Sequence, residues 1–281
     1  MNSTMNRRQW LTLLAAGTAA ALSGCDSTHG VGISGAAPNH LANAIASAPP
    51  STPAPPPARA AIPLLPAPPG GPKTRLSRRT ITALPGTGNN LALTVDDGAD
   101  ADVVGAYIKF AQDTGARFTF FVTASYSSWT VHRDALRPLV ESGQIQLGNH
   151  TWNHPALTKL SAAGVADQLE RTKTFLRNTF GVDGTPFYRP PYGFHNAAVD
   201  RVAAEHGYTV PTLWYGSLSD SSIVTEQYLI EMAHKYFNSQ AIVIGHANHP
   251  AVTHCYNQLV DVIKQRNLSM VTLNDVTLPP V

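Results

Sequence analysis

The sequence predicts an α/β fold in which helices cover a parallel sheet. Short apolar runs alternate with longer segments of helical spacing, and several of these segments end at a glycine suited to a helix C-cap. This alternation favours parallel pairing, because each crossover helix returns the chain to the same end of the sheet. The pattern alone leaves open either an open doubly wound sheet or a closed barrel, and no repeat of fixed period is visible.

The individual elements follow from the alternation. Seven strands are predicted, at residues 91–95, 117–123, 144–148, 186–189, 209–215, 241–245 and 270–273. Six helices lie between them, at residues 101–114, 133–142, 162–180, 197–205, 226–237 and 252–266. The glycines expected to end helices are Gly115, Gly143, Gly181 and Gly207.

Residues 1–25 have the composition of an export signal. A basic pair in a stretch that resembles a twin-arginine signal precedes the apolar run 10–22, which is too short to cross a bilayer as a stable helix. The last four residues, Leu-Ser-Gly-Cys, resemble a bacterial lipobox. We expect an exported lipoprotein in the periplasm or at the cell surface, held to the membrane only by a lipid on Cys25. The alternative for Cys25 is an ordinary cysteine in a leader.

Residues 26–72 are expected to be a spacer before a folded domain at 73–281. The stretch 49–72 holds 11 of the chain's 22 prolines. A tract of this kind favours the extended polyproline II form, and at about 3.1 Å per residue it would span roughly 75 Å.

The overall composition excludes several classes of protein. Lys and Arg number 20 against 18 Asp and Glu, without a basic run, so we expect no nucleic-acid binding. Apolar residues make up 43% of the 281 residues, enough for a sizeable core. Two cysteines make no disulfide framework, and Cys255 is expected to be a small core residue. We expect a monomer.

Unusual polar residues stand where predicted strands end. In chain order they are Asp96, Asp97, His150, His154, Arg189 and His246. Catalytic groups in parallel α/β folds gather at this end of the strands. Adjacent carboxylates leave a strand in different directions, so one can bind a metal while the other acts as a base. Two histidines four residues apart, on one helical turn after the strand, form with a carboxylate a ligand set for a catalytic divalent metal.

Together these motifs resemble the polysaccharide deacetylases, the NodB-homology carbohydrate esterases, over residues 91–275. Four motifs occur in the family's order and roughly at its spacing. The resemblance implies a distorted (β/α) barrel of about seven parallel strands. It also implies hydrolysis of N-acetyl or O-acetyl groups on sugars with one divalent metal ion, Zn²⁺ first and Co²⁺ or Ni²⁺ as alternatives.

The same resemblance assigns roles residue by residue. Asp96 matches the general base, whereas Asp97, His150 and His154 match the metal ligands. Arg189 matches the residue that orients the base.

The third and fourth motifs supply the remaining roles. Pro191 and Tyr192 are assigned to substrate binding, and the Tyr192 backbone N–H would stabilise the oxyanion together with the metal. His246 matches the general acid, and Asp220 would tune it. The fourth motif departs from the family pattern, because Ser221 stands where a Trp is expected.

Trp152 and Trp214 are candidate platforms for sugar rings, with core packing as the alternative. The function expected is removal of acetyl groups from N-acetylglucosamine polymers, such as peptidoglycan, chitin-like or exopolysaccharide chains, at the cell envelope. One alternative is an O-acetyl esterase on xylan-like polymers. Another, suggested by Ser221, is a catalytically silent glycan-binding lipoprotein.

Overall fold

The computed structural model describes residues 64–68 and 70–281. The export signal, Cys25 and most of the 26–72 spacer lie outside these residues, so lipidation, the spacer and the domain boundaries stay predictions. Within the described residues, no helix is both long and apolar enough to cross a membrane.

Ten strands and eight α-helices make up the described part of the chain. The strands are β1 (Thr74–Arg75), β2 (Asn90–Asp97), β3 (Phe118–Val122), β4 (Ile145–Asn149), β5 (Phe187–Tyr188), β6 (Val210–Pro211), β7 (Gly216–Ser217), β8 (Ala241–His246), β9 (Ser269–Met270) and β10 (Thr277–Leu278). The helices are α1 (Ala101–Thr114), α2 (Ser128–Val131), α3 (Arg133–Glu141), α4 (Ala162–Phe180), α5 (Ala197–Glu205), α6 (Glu226–Tyr236), α7 (Tyr256–Gln265) and α8 (Leu273–Val276).

Eight of the strands form one parallel sheet with the order β6-β5-β4-β3-β2-β8-β7, and β9 pairs with the start of β2. Strand β2 lies at the centre, between β3 and β8, and is buried from Leu91 to Asp97. Among the described residues, the edge strands β6 and β7 do not pair with each other. The sheet is therefore an incompletely closed barrel, and the predicted distorted (β/α) barrel is confirmed. Strands β1 and β10 form a separate pair.

One predicted strand is much shorter in the structure than expected. The apolar run 209–215 forms β6 at one edge of the sheet and then crosses to β7 at the other edge. The crossing chain bonds to both sides, since the Thr212 N–H donates to the Tyr188 carbonyl of β5 and the Tyr215 N–H donates to the Ile242 carbonyl of β8. The gap in the barrel is thus bridged by a crossing chain instead of a strand pair.

The last predicted strand, 270–273, is shorter than expected. Strand β9 ends at Met270, because Thr272 begins α8 with a capping box in which its hydroxyl and the Asp275 carboxylate each accept a backbone N–H of the other residue. The predicted helix 252–266 is also shorter, since a 3₁₀ turn precedes α7. The four glycines expected at helix ends all have positive φ, from 73° to 93°.

Gly98, directly after β2, is a position where we expect any side chain to destabilise the fold. Its φ is 92°, and a Cβ there would lie 2.2 Å from the buried ring of Trp129. Gly98→Ala should lower the free energy of unfolding by about 2–5 kcal/mol, because left-handed strain and overpacking add.

Gly143→Ala is the matched control, since Gly143 has a φ of 73° and no atom within 4 Å of the added Cβ. Strain alone should then cost about 1–2 kcal/mol. Urea denaturation of both variants measures the difference. Equal losses in the two variants would contradict the steric role of Trp129.

Candidate active site

The carboxyl ends of β2, β4 and β8 meet at a cleft of about 570 Å³. Five of the six polar residues predicted at strand ends line it, namely Asp96, Asp97, His150, His154 and His246. The sixth, Arg189, is fully buried and bonded to Asp96. The structure thus brings together residues that are far apart in the chain.

Asp97, His150 and His154 bring three potential ligand atoms together. The Nε2 atoms of His150 and His154 lie 3.5 and 3.4 Å from Oδ1 of Asp97, and all three atoms lie within 4.8 Å of one another. Tetrahedral coordination with bonds of about 2.0–2.2 Å places ligand atoms about 3.3–3.6 Å apart. The nitrogen and oxygen donors therefore fit a divalent metal and leave a position open for water or substrate.

Neighbouring groups orient these ligands. Nδ1 of His150 lies 2.6 Å from the Arg189 carbonyl oxygen, so Nδ1 carries the proton and Nε2 keeps its lone pair for a metal. Oδ2 of Asp97 accepts a hydrogen bond of 2.7 Å from the Asn248 side-chain amide. Each hydrogen bond uses the side-chain atom that faces away from the proposed metal position, and it thereby orients the ligand atom toward that position.

The segment from His150 to His154 is not the helical turn that the spacing suggested. Thr151 and His154 have φ of 74° and 62°, and the His154 N–H donates to the Thr151 hydroxyl. Asp97 and Tyr192 at the same cleft also have positive φ, 74° and 60°. Left-handed backbone is uncommon for such residues and concentrates at functional sites.

Asp96 is held by Arg189. Nη1 of Arg189 donates to Oδ1 of Asp96 at 2.6 Å, while Oδ2 of Asp96 lies 3.5 Å from Nε2 of His150. Further donors of Arg189 reach the carbonyls of Thr212 and Leu213. Burial lowers the pKa of Arg189, and the Asp96 charge opposes that shift. One carboxylate oxygen of Asp96 therefore stays directed at the site.

A second buried pair joins His246 to Asp220. Nδ1 of His246 lies 2.9 Å from Oδ1 of Asp220, and the His246 backbone N–H donates to Oδ2. Burial lowers the pKa of His246, but the hydrogen bond and charge of Asp220, with the charges of Asp96 and Asp97, outweigh it, so the pKa is raised. Because Nδ1 faces Asp220, Nε2 is the nitrogen that can give a proton to a group in the cleft.

The pKa shifts of two ligand residues favour metal binding. Burial raises the pKa of Asp97, but His150, His154 and the Asn248 amide lower it by more. Burial and the neighbouring His150 lower the pKa of His154. An ionised carboxylate and a neutral imidazole are the forms that bind a metal.

Comparison with known proteins shows which proteins this chain resembles. Residues 84–211 match the family model described as Polysaccharide deacetylase. Over this stretch, a little under half of its length, the chain is similar to the polysaccharide deacetylases. It is 28% identical to a peptidoglycan-N-acetylglucosamine deacetylase of Listeria monocytogenes over 195 residues, 68% of this chain and 39% of that protein. Identity to a chitin deacetylase of Arthroderma benhamiae is 27% over 198 residues, 66% of this chain and 51% of that protein. The chain thus spans about half or less of the length of these relatives.

A solved structure shares the polysaccharide deacetylase fold. A pseudoenzyme of Bacillus anthracis, described as a CE4 family member, aligns with a TM-score of 0.64 over 73% of this chain and 72% of that one. Identity between the two is 17%, so the likeness concerns the fold alone.

The residues expected to bind substrate lie in different places. Trp214 and Tyr192 line the cleft, and among the described residues the Tyr192 backbone N–H has no hydrogen-bond partner. Pro191 is buried in the turn before Tyr192 and does not line the cleft. Trp152 lies outside the cleft, where it packs against the main core and the Arg171 guanidinium stands 4.2 Å from its ring. For Trp152 the geometry agrees with the alternative of core packing.

Asn248 is a residue of the candidate site that the sequence analysis missed. Its amide nitrogen donates to Asp97, and its Oδ1 accepts from the Ala99 N–H. Asn248 and His246 both line the cleft, and a polar residue two positions after a strand-end His was the available signal. Ser221 also lines the cleft.

We expect Asn248→Ala to weaken Zn²⁺ binding by about 10–100-fold, because groups that orient a metal ligand have effects of this size. Calorimetric titration of the apoprotein with Zn²⁺ measures the affinity and the expected stoichiometry of one ion per chain. His254→Ala is the control, since His254 is exposed and paired with Glu226. Unchanged affinity in Asn248→Ala would show that Asp97 needs no such support.

Proposed function

We propose that this chain is a metal-dependent hydrolase that removes acetyl groups from an N-acetylated glycan. The observation that carries the proposal is a single cleft holding an Arg-bound carboxylate, a His-Asp pair and a three-residue metal-ligand set. The match to the polysaccharide deacetylase family model supports deacetylation of a polysaccharide. Relatives named for peptidoglycan and chitin deacetylation support an N-acetylglucosamine polymer.

The proposed reaction is hydrolysis of an amide. Water adds to the acetyl carbon, the C–N bond breaks, and acetate and a free amine are formed. A bound divalent metal, Zn²⁺ first and Co²⁺ or Ni²⁺ as alternatives, would supply Lewis acidity that polarises the carbonyl and acidifies the water. Asp97, His150 and His154 would hold it.

The protein groups handle the protons and the developing charge. Asp96 takes the proton of the attacking water on the oxygen that Arg189 leaves free. The Tyr192 N–H donates to the oxyanion. His246, kept protonated by Asp220, gives the proton on Nε2 to the leaving nitrogen, which completes the cleavage of the C–N bond.

An uncharged glycan fits the cleft better than a polyanion. The described residues that line it include no Lys or Arg, so the cations proposed there are the protonated His246 and the bound metal, both of which act on the acetyl group. The two carboxylates of the cleft are each engaged by a protein donor, Asp96 by Arg189 and Asp97 by Asn248.

The proposed location is the cell envelope. The motifs of residues 1–25 support export and lipidation of Cys25, and the proline-dense spacer supports a domain held away from its anchor.

Acetate release tests the proposed function. The metal-loaded protein should release acetate from N-acetylglucosamine oligomers, whereas Asp96→Asn and His246→Ala should each lower turnover by at least about 100-fold, because each removes a proton-transfer group. Elemental analysis should find the metal retained in both variants, since neither residue is one of the three ligands. Near parental activity in either variant would overturn its assigned role.

Asp220→Asn should move the alkaline limb of the pH–rate profile to lower pH. His246 acts in its protonated form, so the rate falls as pH rises through its pKa, and Asp220 raises that pKa. Profiles of kcat/KM against pH for the metal-loaded proteins measure the shift. An alkaline limb that stays in place would mean that Asp220 does not set the protonation of His246.

Two other functions are separated by the same assay. An O-acetyl esterase would release more acetate from acetylated xylan than from N-acetylglucosamine oligomers. A catalytically silent glycan-binding protein is favoured by Ser221, which lines the cleft where the family pattern has a Trp. Absence of both bound metal and acetate release from any glycan would support that function.

A further inference from the structure

Two buried tyrosine hydroxyls have no hydrogen-bond partner among the described residues. They belong to Tyr107 of α1 and Tyr256 of α7, and both oxygens are shielded from solvent. The two rings meet edge-on, with their centroids 5.5 Å apart. Buried polar groups in folded proteins are nearly always bonded to the protein or to ordered water, because an unpaired one is unfavourable. Two such hydroxyls on neighbouring rings therefore indicate a shared partner.

The Asp220 carboxylate has acceptor positions to spare beside these hydroxyls. It is 1% exposed, and each of its oxygens accepts one hydrogen bond, in both cases from His246. An ionised carboxylate has about four acceptor positions, so about two remain open. A Cβ added to Gly245 would lie 3.3 Å from the Tyr107 hydroxyl oxygen and 3.4 Å from Oδ2 of Asp220. Both oxygens thus border the same small space beside Gly245.

The two hydroxyls keep their protons next to this carboxylate. Burial raises the pKa of Tyr107 and of Tyr256, and neighbouring groups that include the Asp220 charge raise both further. Each tyrosine is therefore a neutral donor, and Asp220 is an acceptor that lacks donors. Neither tyrosine lines the cleft, so the pair acts on the site only from behind Asp220.

We propose that Tyr107 and Tyr256 are positioning residues for Asp220, and that their hydroxyls reach its carboxylate through one shared buried water molecule. The water accepts from both hydroxyls and donates to Oδ2 of Asp220, which gives it three polar partners, the number typical of buried water. The network fixes the carboxylate and disperses part of its charge, and it thereby sets how strongly Asp220 acts on His246. This inference rests on the proposed acid role of His246.

Stability measurements test the water bridge without any assay of activity. Tyr107→Phe and Tyr256→Phe each remove one hydroxyl and keep the ring. Each should lower the midpoint of urea denaturation, because a buried hydrogen bond is lost. A higher midpoint in both variants would show that the hydroxyls are unpaired and would overturn the bridge. Tyr208→Phe is the matched control, since Tyr208 is as buried as Tyr107 and its hydroxyl donates to the Asp183 carbonyl at 2.6 Å.

The alkaline limb of the kcat/KM profile separates positioning from a merely structural role. Tyr107→Phe and Tyr256→Phe should move the limb to higher pH by about 0.5 unit, opposite to Asp220→Asn. The reason is that Asp220 loses a donor, so its less dispersed charge stabilises the protonated form of His246 more strongly. The control Tyr208→Phe should lower the urea midpoint and leave the limb in place.

NMR titration of the His246 imidazole in the Zn²⁺-loaded protein measures the same shift without turnover. The other charged or titratable groups that act on this imidazole are Asp96, Asp97 and His154, which the variants leave unchanged. Acetate release with an unmoved limb in both tyrosine variants would overturn the positioning role and leave the proposed function standing. A shifted His246 titration in a protein that releases no acetate would support the positioning role and overturn deacetylation. An unmoved titration without acetate release would overturn both.

Discussion

The buried guanidinium of Arg189 is the group on which the geometry of the cleft depends. Moving such a charge out of water costs several kcal/mol unless it is paired, and here it meets the Asp96 carboxylate and the carbonyls of Thr212 and Leu213. The Arg189 carbonyl also orients His150. One residue thereby positions the proposed base, one proposed metal ligand and the chain that crosses between the two edges of the barrel.

Two adjacent carboxylates take different tasks because the backbone turns between them. Asp96 is still in the extended strand and meets Arg189, whereas Asp97 has a φ of 74° and meets the histidines. Left-handed backbone of this kind costs about 1–3 kcal/mol per residue and persists only where the surroundings impose it. Trp129 packs against the next residue, Gly98, and its indole N–H donates to the Asp97 carbonyl. Trp129 thus holds the left-handed backbone of Asp97 in place.

The cleft combines buried charged residues with uncharged aromatic residues. The carboxylates of Asp96 and Asp220 are nearly fully buried. Asp96 is paired with Arg189, and Asp220 is paired with His246. Tyr192 and Trp214 also line the cleft, and they offer apolar faces and no formal charge. This combination suits a neutral polymer that presents one polar acetyl group to the charged residues and sugar faces to the aromatic rings.

Local sequence patterns determined a large part of this protein. Periodicity and capping residues predicted the bounds of α1, α4 and α5 as the structure has them, because helix period and end signals act over a few residues. The positions of the strand-end polar residues indicated a shared cleft, since the carboxyl ends of parallel strands lie at one edge. The order of the motifs indicated the family.

Only the tertiary structure decided how the elements close on one another. An apolar run such as 209–215 indicates burial, but it does not show that the strand ends at Pro211 and that the chain then crosses to the other edge of the sheet. The same limit applies to Trp152, whose ring is suited to either the core or the cleft. The contact between Asn248 and Asp97 likewise appeared only in the structure, although the place of Asn248 two positions after His246 was a signal. These features depend on contacts between distant residues, as Arg189 and Asp96 show, 93 positions apart in the chain yet 2.6 Å apart between their bonded atoms.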